Sequence, residues 1–191
     1  PTACAASSTS RPTSSAGSDP PPPAVCFEAI RGTAINSPAF QDAYPDDLSH
    51  CYGCGRLNEH GLQLKSRWDG EETVAVFTPR PYHFALPGFV YGGLIASLVD
   101  CHGTASAAAA ACRAEGRELG SEPPVRFVTA ALHVDYLRPT PLGGPLEIRG
   151  RIEEIKGRKI VVAATVSAGG QLCARGRVVA VRMPASMAPP A

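Results

Sequence analysis

The sequence predicts an α+β fold in which a curled antiparallel sheet wraps around one long central helix. Two observations lead to this prediction. A helical pattern runs from Gly93 to about Ala114 and is too rich in alanine and apolar residues for a helix exposed to water. Four segments with alternating apolar residues follow it, as in strands with one buried face. A lone apolar helix of this kind needs a sheet to cover it.

The first strands are predicted ahead of the helix. From Gly61 onward, the segments GLQLKSRW and EETVAVFTP flank the dipeptide DG, and this pattern predicts a hairpin. The next segment, PYHFALPGF, contains two prolines and one glycine and predicts a loop. The helix follows and is expected to end near Gly116.

Four more strands are predicted after the helix and a second loop. Their sequences are RFVTAALHVDYLRP, LEIRGRIEEI, KIVVAATVSA and QLCARGRVVAVRM. Because KGR and GG turns separate them, we expect a meander. The small side chains of TASAAAAAC, in the second half of the helix, let strands approach closely. Hairpin, helix and meander together predict the architecture known as the hot-dog fold.

The folded domain is expected over residues 50–183. Residues 1–25 are rich in Ser, Thr, Pro and Ala with almost nothing to bury, so a disordered tail is expected there. Residues 26–49 form a lead-in, and residues 184–191 form a loose C-terminal tail. The first stretch lacks the apolar region of a signal peptide. An organelle-targeting segment is the alternative, although it has one arginine and no amphipathic pattern.

Composition argues against several classes of partner. The net charge is +1, which gives no strong electrostatic footprint for nucleic acid or an anionic membrane, so no nucleic-acid partner is expected. No apolar run approaches the ~18 residues that span a bilayer, and no membrane insertion is expected. Seven cysteines without a secretory signal favour reduced thiols and a cytoplasmic location.

Cys51 and Cys54 form a CxxC motif with His50 and His60 nearby. A zinc site needs four well-placed ligands, and this motif has no second pair. A redox motif would need a thioredoxin-like βαβ context, which the order of elements lacks. We therefore expect a tight turn packed under the sheet, and neither a metal nor another cofactor.

Four segments together resemble a known enzyme family. They are CYGCGRLNEHGL, YGGLIASLVD, VTAALHVDYLRPTPLG and EIKGRK. In this order and spacing, over about residues 50 to 183, they are similar to the hot-dog-fold acyl-CoA thioesterases, in particular to the phenylacetate-pathway type. Tyr91 differs from the family pattern, since most members have histidine there. Ala85 stands near a point where one subgroup has a polar loop residue.

The resemblance implies hydrolysis of an acyl-CoA thioester, which requires two kinds of group. Backbone N–H groups at a helix N-terminus stabilise charge on the carbonyl oxygen, and Gly92 and Gly93 leave room for the carbonyl to approach. A carboxylate, Asp100, serves as general base or nucleophile. The alternative is an ordinary helix start with Asp100 paired to a buried group. A buried unpaired carboxylate is costly, which favours the catalytic interpretation.

The spacing of these residues adds a geometric constraint. Eight helical residues rise about 12 Å, at roughly 1.5 Å per residue. One carbonyl therefore cannot reach both Gly92 and Asp100 of the same helix. Either the two residues serve different sites, or two chains meet and each contributes half of one site. The resemblance implies a homodimer, or a dimer of dimers, whose helices lie side by side across a continuous sheet. Each site would then combine Gly92 of one chain with Asp100 of the other.

The resemblance also implies supporting roles for residues outside the helix. Thr129 stands where relatives carry a serine or threonine that holds the nucleophilic water; the alternative is that threonine simply suits a strand. Tyr91 and Asp135 stand at positions expected to contact the substrate. His102 points roughly 200° away from Asp100 on the helix, so a packed or dimer-contact histidine is expected.

Coenzyme A carries phosphates, which basic side chains should bind. Arg138 at a strand end, and Arg158 and Lys159 in the KGRK turn, are the candidates. The alternative for each is an ordinary solvated charge.

Two other functions are alternatives to hydrolysis. The first is a non-catalytic acyl-CoA-binding hot-dog module, as in regulators that use this fold. Such a regulator would need a DNA-binding helix-turn-helix, which no segment before residue 50 offers, and would have no use for Asp100. The second is an enoyl-CoA hydratase of the same fold. It would need an acid and a histidine spaced further apart than Asp100 and His102.

Overall fold

The computed structural model describes residues 37–187, and one long helix lies at its centre. Helix α1 spans Gly92–Ala114. The strands are β1 (Ser66–Asp69), β2 (Glu72–Phe77), β3 (Phe84–Leu86), β4 (Phe89–Val90), β5 (Phe127–Tyr136), β6 (Leu146–Lys156), β7 (Lys159–Ala168) and β8 (Gln171–Arg182). Short 3₁₀ helices cover Phe40–Ala43, Asp46–Leu48 and Ala185–Met187. The predicted tail over 1–25, part of the lead-in and residues 188–191 lie outside the described residues.

Six strands form one antiparallel sheet in the order β1-β2-β6-β7-β8-β5, which packs around α1. This arrangement confirms the hairpin, the central helix and the hot-dog fold. The predicted meander is wrong for β5, which pairs with β8 and not with β6. The connection from β5 to β6, residues 137–145, includes Pro139 and Pro141 and is too long for a tight hairpin. Strand β6 is therefore free to pair with β2.

The segment predicted as a loop contains a small ribbon, β3–β4, outside the main sheet. Pro87 and Gly88 occupy its turn, and the φ of +86° at Gly88 is the left-handed conformation that the third position of a type II turn requires. Phe84 and Leu86 are more than half exposed. The ribbon therefore presents apolar side chains at the surface beside the start of α1.

The sheet packs very closely on α1. Leu98 and Val99 of the helix are fully buried against the sheet. At Gly103 and Gly176, an added Cβ would collide with Val178 and Val99, respectively. By length and composition α1 could cross a membrane, but 78% of its most apolar stretch is buried within the fold. The small residues of the helix thus permit the close approach that the sequence predicts.

A polar network connects α1 to the first hairpin inside the core. His102 is fully buried, and its two ring nitrogens lie 2.9 Å from Ser66 Oγ and 3.0 Å from Thr73 Oγ1. Thr73 Oγ1 also lies 2.7 Å from Ser106 Oγ. Burial lowers the pKa of His102 to about 4, so the ring is neutral at pH 7. The prediction of a packed histidine is confirmed.

We expect His102→Leu to lower the free energy of unfolding by about 0.5–1.5 kcal/mol for each of the two hydrogen bonds that it removes. Ser66 and Thr73 would each lose one partner inside the core, and each would keep another, from Gln41 and Ser106 respectively. Urea unfolding followed by circular dichroism measures the change. His60→Leu, at an exposed histidine, is the control and should unfold like the unsubstituted protein. Equal stability of both variants would contradict a structural role for the network.

Candidate active site

The acid of α1 meets a threonine of the edge strand β5. Thr129 Oγ1 donates a hydrogen bond to Asp100 Oδ1. A β-bulge between Thr129 and Ala131 interrupts the pairing with β8 at this point, and such bulges re-aim side chains. Of the residues that the sequence assigns to chemistry, these two are in direct contact.

The environment of Asp100 favours a proton acceptor. Its side chain is half-buried on an apolar helix. Burial raises the pKa of the carboxyl group, the hydrogen bond from Thr129 opposes the rise, and negative charge on Cys51 adds to it. A carboxylate with a raised pKa is a stronger base than the same group in water.

The start of α1 offers backbone donors close to the surface. Tyr91 is the N-cap residue and makes no side-chain capping hydrogen bond. The first N–H groups of a helix have no partner within the helix, so they remain available to an anion. The Tyr91 ring folds over Gly93, where it would collide with a Cβ. A larger residue at position 93 would displace the exposed Tyr91 ring from this position.

Tyr136, which the sequence analysis did not single out, also belongs to this region. Its hydroxyl donates a hydrogen bond of 2.8 Å to the Gly92 carbonyl oxygen. An added Cβ at Gly92 would lie 3.3 Å from the Tyr136 ring, which is a tight contact. The sequence signal was the aromatic residue at the end of a strand, two positions before Arg138. The contact spans 44 positions, so no local pattern reveals it.

A cavity of about 170 Å³ opens beside the start of α1. Aromatic rings form most of its wall, and both Tyr82 and Tyr91 are more than half exposed. The full lining is Tyr52, Tyr82, His83, Phe84, Tyr91, Gly93, Leu94 and Ser97. The ribbon β3–β4 and the helix start thus enclose an apolar pocket open to solvent.

Arg158 and Lys159 lie at the sheet end that carries Thr129. Ile160, the next residue, pairs with Ala180, which in turn pairs with Thr129. Lys159 Nζ lies 3.0 Å from the Glu154 carboxylate. Arg158 donates to the carbonyl oxygen of Arg182 at 3.2 Å.

Arg138 and Asp135 lie at the other end of β5, near Gly92. Arg138 donates to the carbonyl oxygen of Leu172 at 2.9 Å, and His133 Nε2 lies 3.0 Å from Asp135 Oδ1. The structure therefore sorts the predicted residues of one chain into two groups. Asp100, Thr129, Arg158 and Lys159 form one, and Gly92, Gly93, Tyr91, Asp135 and Arg138 form the other. It does not bring Gly92 and Asp100 of one chain together.

Comparison with known proteins places the chain in one family. The thioesterase superfamily model matches residues 87–181. A thioesterase superfamily protein from Shewanella loihica PV-4 is 54% identical; the match covers 74% of this chain and 100% of that one, with a TM-score of 0.57. The E. coli PaaI protein of the phenylacetic acid degradation operon shares the fold, at 17% identity over 64% of this chain and 81% of that one, with a TM-score of 0.52.

A curated relative adds a named activity. The acyl-coenzyme A thioesterase THEM4 of Xenopus laevis is 34% identical over 93 residues, which are 49% of this chain and 36% of that protein. The match thus spans only about a third of the length of that relative. The family model and the full-length match to the Shewanella loihica protein agree with the resemblance carried by the four sequence segments. The chain belongs to the thioesterase superfamily.

Proposed function

We propose that the protein hydrolyses acyl-CoA thioesters and that Asp100 acts as general base or nucleophile. The observation that carries the proposal is the half-buried Asp100 carboxylate on an apolar helix, held by a hydrogen bond from Thr129. Burying a carboxylate is costly, and groups with perturbed pKa values cluster at functional sites. The family and the name of the THEM4 relative support this class of substrate.

Two routes are consistent with this role. As general base, Asp100 accepts a proton from water while the water attacks the carbonyl carbon. As nucleophile, the Asp100 carboxylate attacks the carbonyl carbon and displaces the coenzyme A thiolate, and water then cleaves the anhydride, which releases the acid, the free carboxylate and one proton. The Gly92 N–H donates to the carbonyl oxygen, where charge builds up, and the dipole of α1 adds to this stabilisation. The carbon–sulfur bond breaks, and the coenzyme A thiolate takes up the proton.

We propose that each site is shared between two copies of the chain. Gly92 and Asp100 lie on one continuous helix, about 12 Å apart along its axis at roughly 1.5 Å per residue. Strand β5 is an edge strand, and residues 129–133 are exposed although Thr129 contacts Asp100. An exposed edge presents unpaired backbone groups that a second copy can pair with. Gly92 of one copy would then serve the Asp100 and Thr129 of the other.

The two groups of basic residues fit a nucleotide that runs across such an interface. Arg138 lies at the Gly92 end, and Arg158 and Lys159 lie at the Thr129 end. We propose that they bind the phosphates of coenzyme A, while the aromatic cavity beside Tyr91 receives the acyl group.

The direct test is a panel of acyl-CoA substrates of different chain length and shape, assayed for release of the coenzyme A thiol. Hydrolysis of at least one substrate with measurable kcat is expected. Tight binding of acyl-CoA without turnover of any substrate would instead favour a non-catalytic binding module.

Thr129→Val is expected to lower kcat by about 10–100-fold, because a hydrogen bond to a charged group contributes about 1.5–3 kcal/mol. Valine keeps the β-branched shape and suits the strand, so the fold should be unchanged. Thr129→Ser retains the hydroxyl and should keep most of the activity. Steady-state kinetics on both variants measure the difference. Equal kcat values for valine and serine would remove the hydroxyl from the mechanism.

Replacing both Arg158 and Lys159 by alanine is expected to raise KM for acyl-CoA roughly tenfold, equivalent to ~1.4 kcal/mol, with a smaller effect on kcat. Phosphate contacts form in the ground state and in the transition state alike. The comparison substrate is a truncated thioester without the nucleotide. The double substitution should leave the KM for this substrate unchanged. Arg151→Ala, an exposed arginine of β6 outside the turn, is the matched control. Equal impairment on both substrates would contradict phosphate binding.

A further inference from the structure

Three cysteine sulfurs converge beside the candidate active site. Cys51 and Cys54 come from the turn ahead of β1, and Cys101 follows Asp100 on α1. All three sulfurs lie within 4.8 Å of one another, and Cys51 Sγ is 3.7 Å from Cys101 Sγ. The CxxC motif lacked further ligands in the sequence, and the helix supplies a third one from 50 positions away.

The turn that carries two of these thiols is held rigidly against α1. An added Cβ at Gly53 would collide with Cys101 Sγ, so only glycine allows the turn to lie this close to the helix. The Gly55 N–H donates to the Cys51 carbonyl oxygen at 2.8 Å, and the Leu64 N–H donates to the Gly53 carbonyl oxygen at 3.0 Å. The three sulfurs are therefore positioned by backbone contacts that do not depend on a bound ligand.

The sulfur spacing matches metal coordination better than a disulfide. Zinc–sulfur bonds of about 2.3 Å in tetrahedral geometry place two sulfurs about 3.8 Å apart. A disulfide would need about 2.05 Å and would use only two of the three sulfurs. Cys112 and Cys173 are also buried free thiols, but neither belongs to such a cluster among the described residues. Thiolates are ligands that select soft metal ions.

We propose that Cys51, Cys54 and Cys101 form a binding site for one thiophilic metal ion such as Zn²⁺. Cys54 and Cys101 are buried, whereas Cys51 is exposed, so an ion can enter from the Cys51 side. Three protein ligands leave the fourth tetrahedral position to water, as in zinc sites that stay open to solvent.

The test uses the full chain, reduced and stripped of metal by a chelator, and titrated with Co²⁺ as a spectroscopic probe for Zn²⁺. A thiolate-to-cobalt charge-transfer band should appear, saturate at one ion per chain, and disappear when Zn²⁺ displaces Co²⁺. Cys51→Ser should weaken Co²⁺ binding by more than about 10-fold. Mutating residues that only support the metal ligands already lowers metal affinity about 10–100-fold. Cys112→Ser and Cys173→Ser are the matched controls and should bind as the unsubstituted chain does.

A second measurement starts from the unsubstituted chain. Zn²⁺ should raise the thermal unfolding midpoint of the unsubstituted chain, because a ligand that binds the folded state stabilises it. Cys51 is exposed, so its serine variant should fold and show no such rise. Three results would overturn the proposal: no charge-transfer band in the folded chain, an equal band in Cys51→Ser, or loss of two thiols as a disulfide without metal uptake.

Discussion

Asp100→Asn is expected to lower kcat for acyl-CoA hydrolysis by about 10²–10⁴-fold, the usual effect of removing a general base. Asparagine has the same shape, and its amide oxygen still accepts the hydrogen bond from Thr129. It cannot accept a proton from water or attack the carbonyl carbon with a full negative charge. KM should therefore change little, because substrate binding does not depend on the lost charge.

Glu71→Gln is the matched control for this experiment, since it also neutralises a carboxylate. The Glu71 side chain is 97% exposed and lies away from the candidate site. It should leave kcat and KM unchanged. Circular dichroism of both variants should match that of the unsubstituted protein. Turnover by folded Asp100→Asn close to the unsubstituted value would remove Asp100 from the mechanism.

Activity restored by mixing two inactive variants is the second large effect that we expect. Gly92→Val would place a branched side chain against the Tyr136 ring and over the N–H donor, and Asp100→Asn would remove the base. Each variant should be nearly inactive as a homodimer. In a mixed dimer with two-fold symmetry, one site receives both substitutions and the other receives neither. Each mixed dimer should therefore have up to half of the unsubstituted activity.

The mixing experiment needs proof that the chains exchange. Two different affinity tags allow the mixed dimer to be isolated and assayed by itself. A mixture of two samples that carry the same substitution is the control and should stay inactive. If isolated mixed dimers of folded variants show no activity, Gly92 and Asp100 do not serve a shared site. That result leaves hydrolysis by Asp100 intact, because the loss of kcat caused by Asp100→Asn tests it separately.

The sequence predicted most of the fold because each main element has a strong local signal. The long alanine-rich helix and the alternating strands β6, β7 and β8 follow from periodicity and turn residues. The position of β5 did not follow, because its partner β8 lies more than 30 residues further along the chain. The order of strands depends on which strand edges of the sheet remain unpaired as the chain folds. Local sequence patterns carry no information about those edges.

Some residues of the candidate site could also be predicted from the sequence, and others could not. Asp100 could be singled out because an acid on an apolar helix violates ordinary expectations for a core helix, whereas Gly92 was assigned from its place at the helix start and from the resemblance. The resemblance implies that Thr129 holds the nucleophilic water, and it did not include the hydrogen bond from Thr129 to Asp100 that the structure shows. The contacts of Tyr136 with Gly92 and of Cys101 with Cys51 could not be predicted, because the partners lie far apart in the sequence.

The ribbon β3–β4 and the helix α1 should differ in how many substitutions they tolerate. It forms part of the wall of the aromatic cavity, yet it lies outside the six-stranded sheet, and Phe84 and Leu86 are largely exposed. Substitutions there change the shape of the pocket without creating a void in the core. The helix has no such freedom, because Gly103 and Gly176 fix its distance from the sheet. Divergence of acyl preference among relatives should therefore accumulate in the ribbon, while α1 tolerates little change.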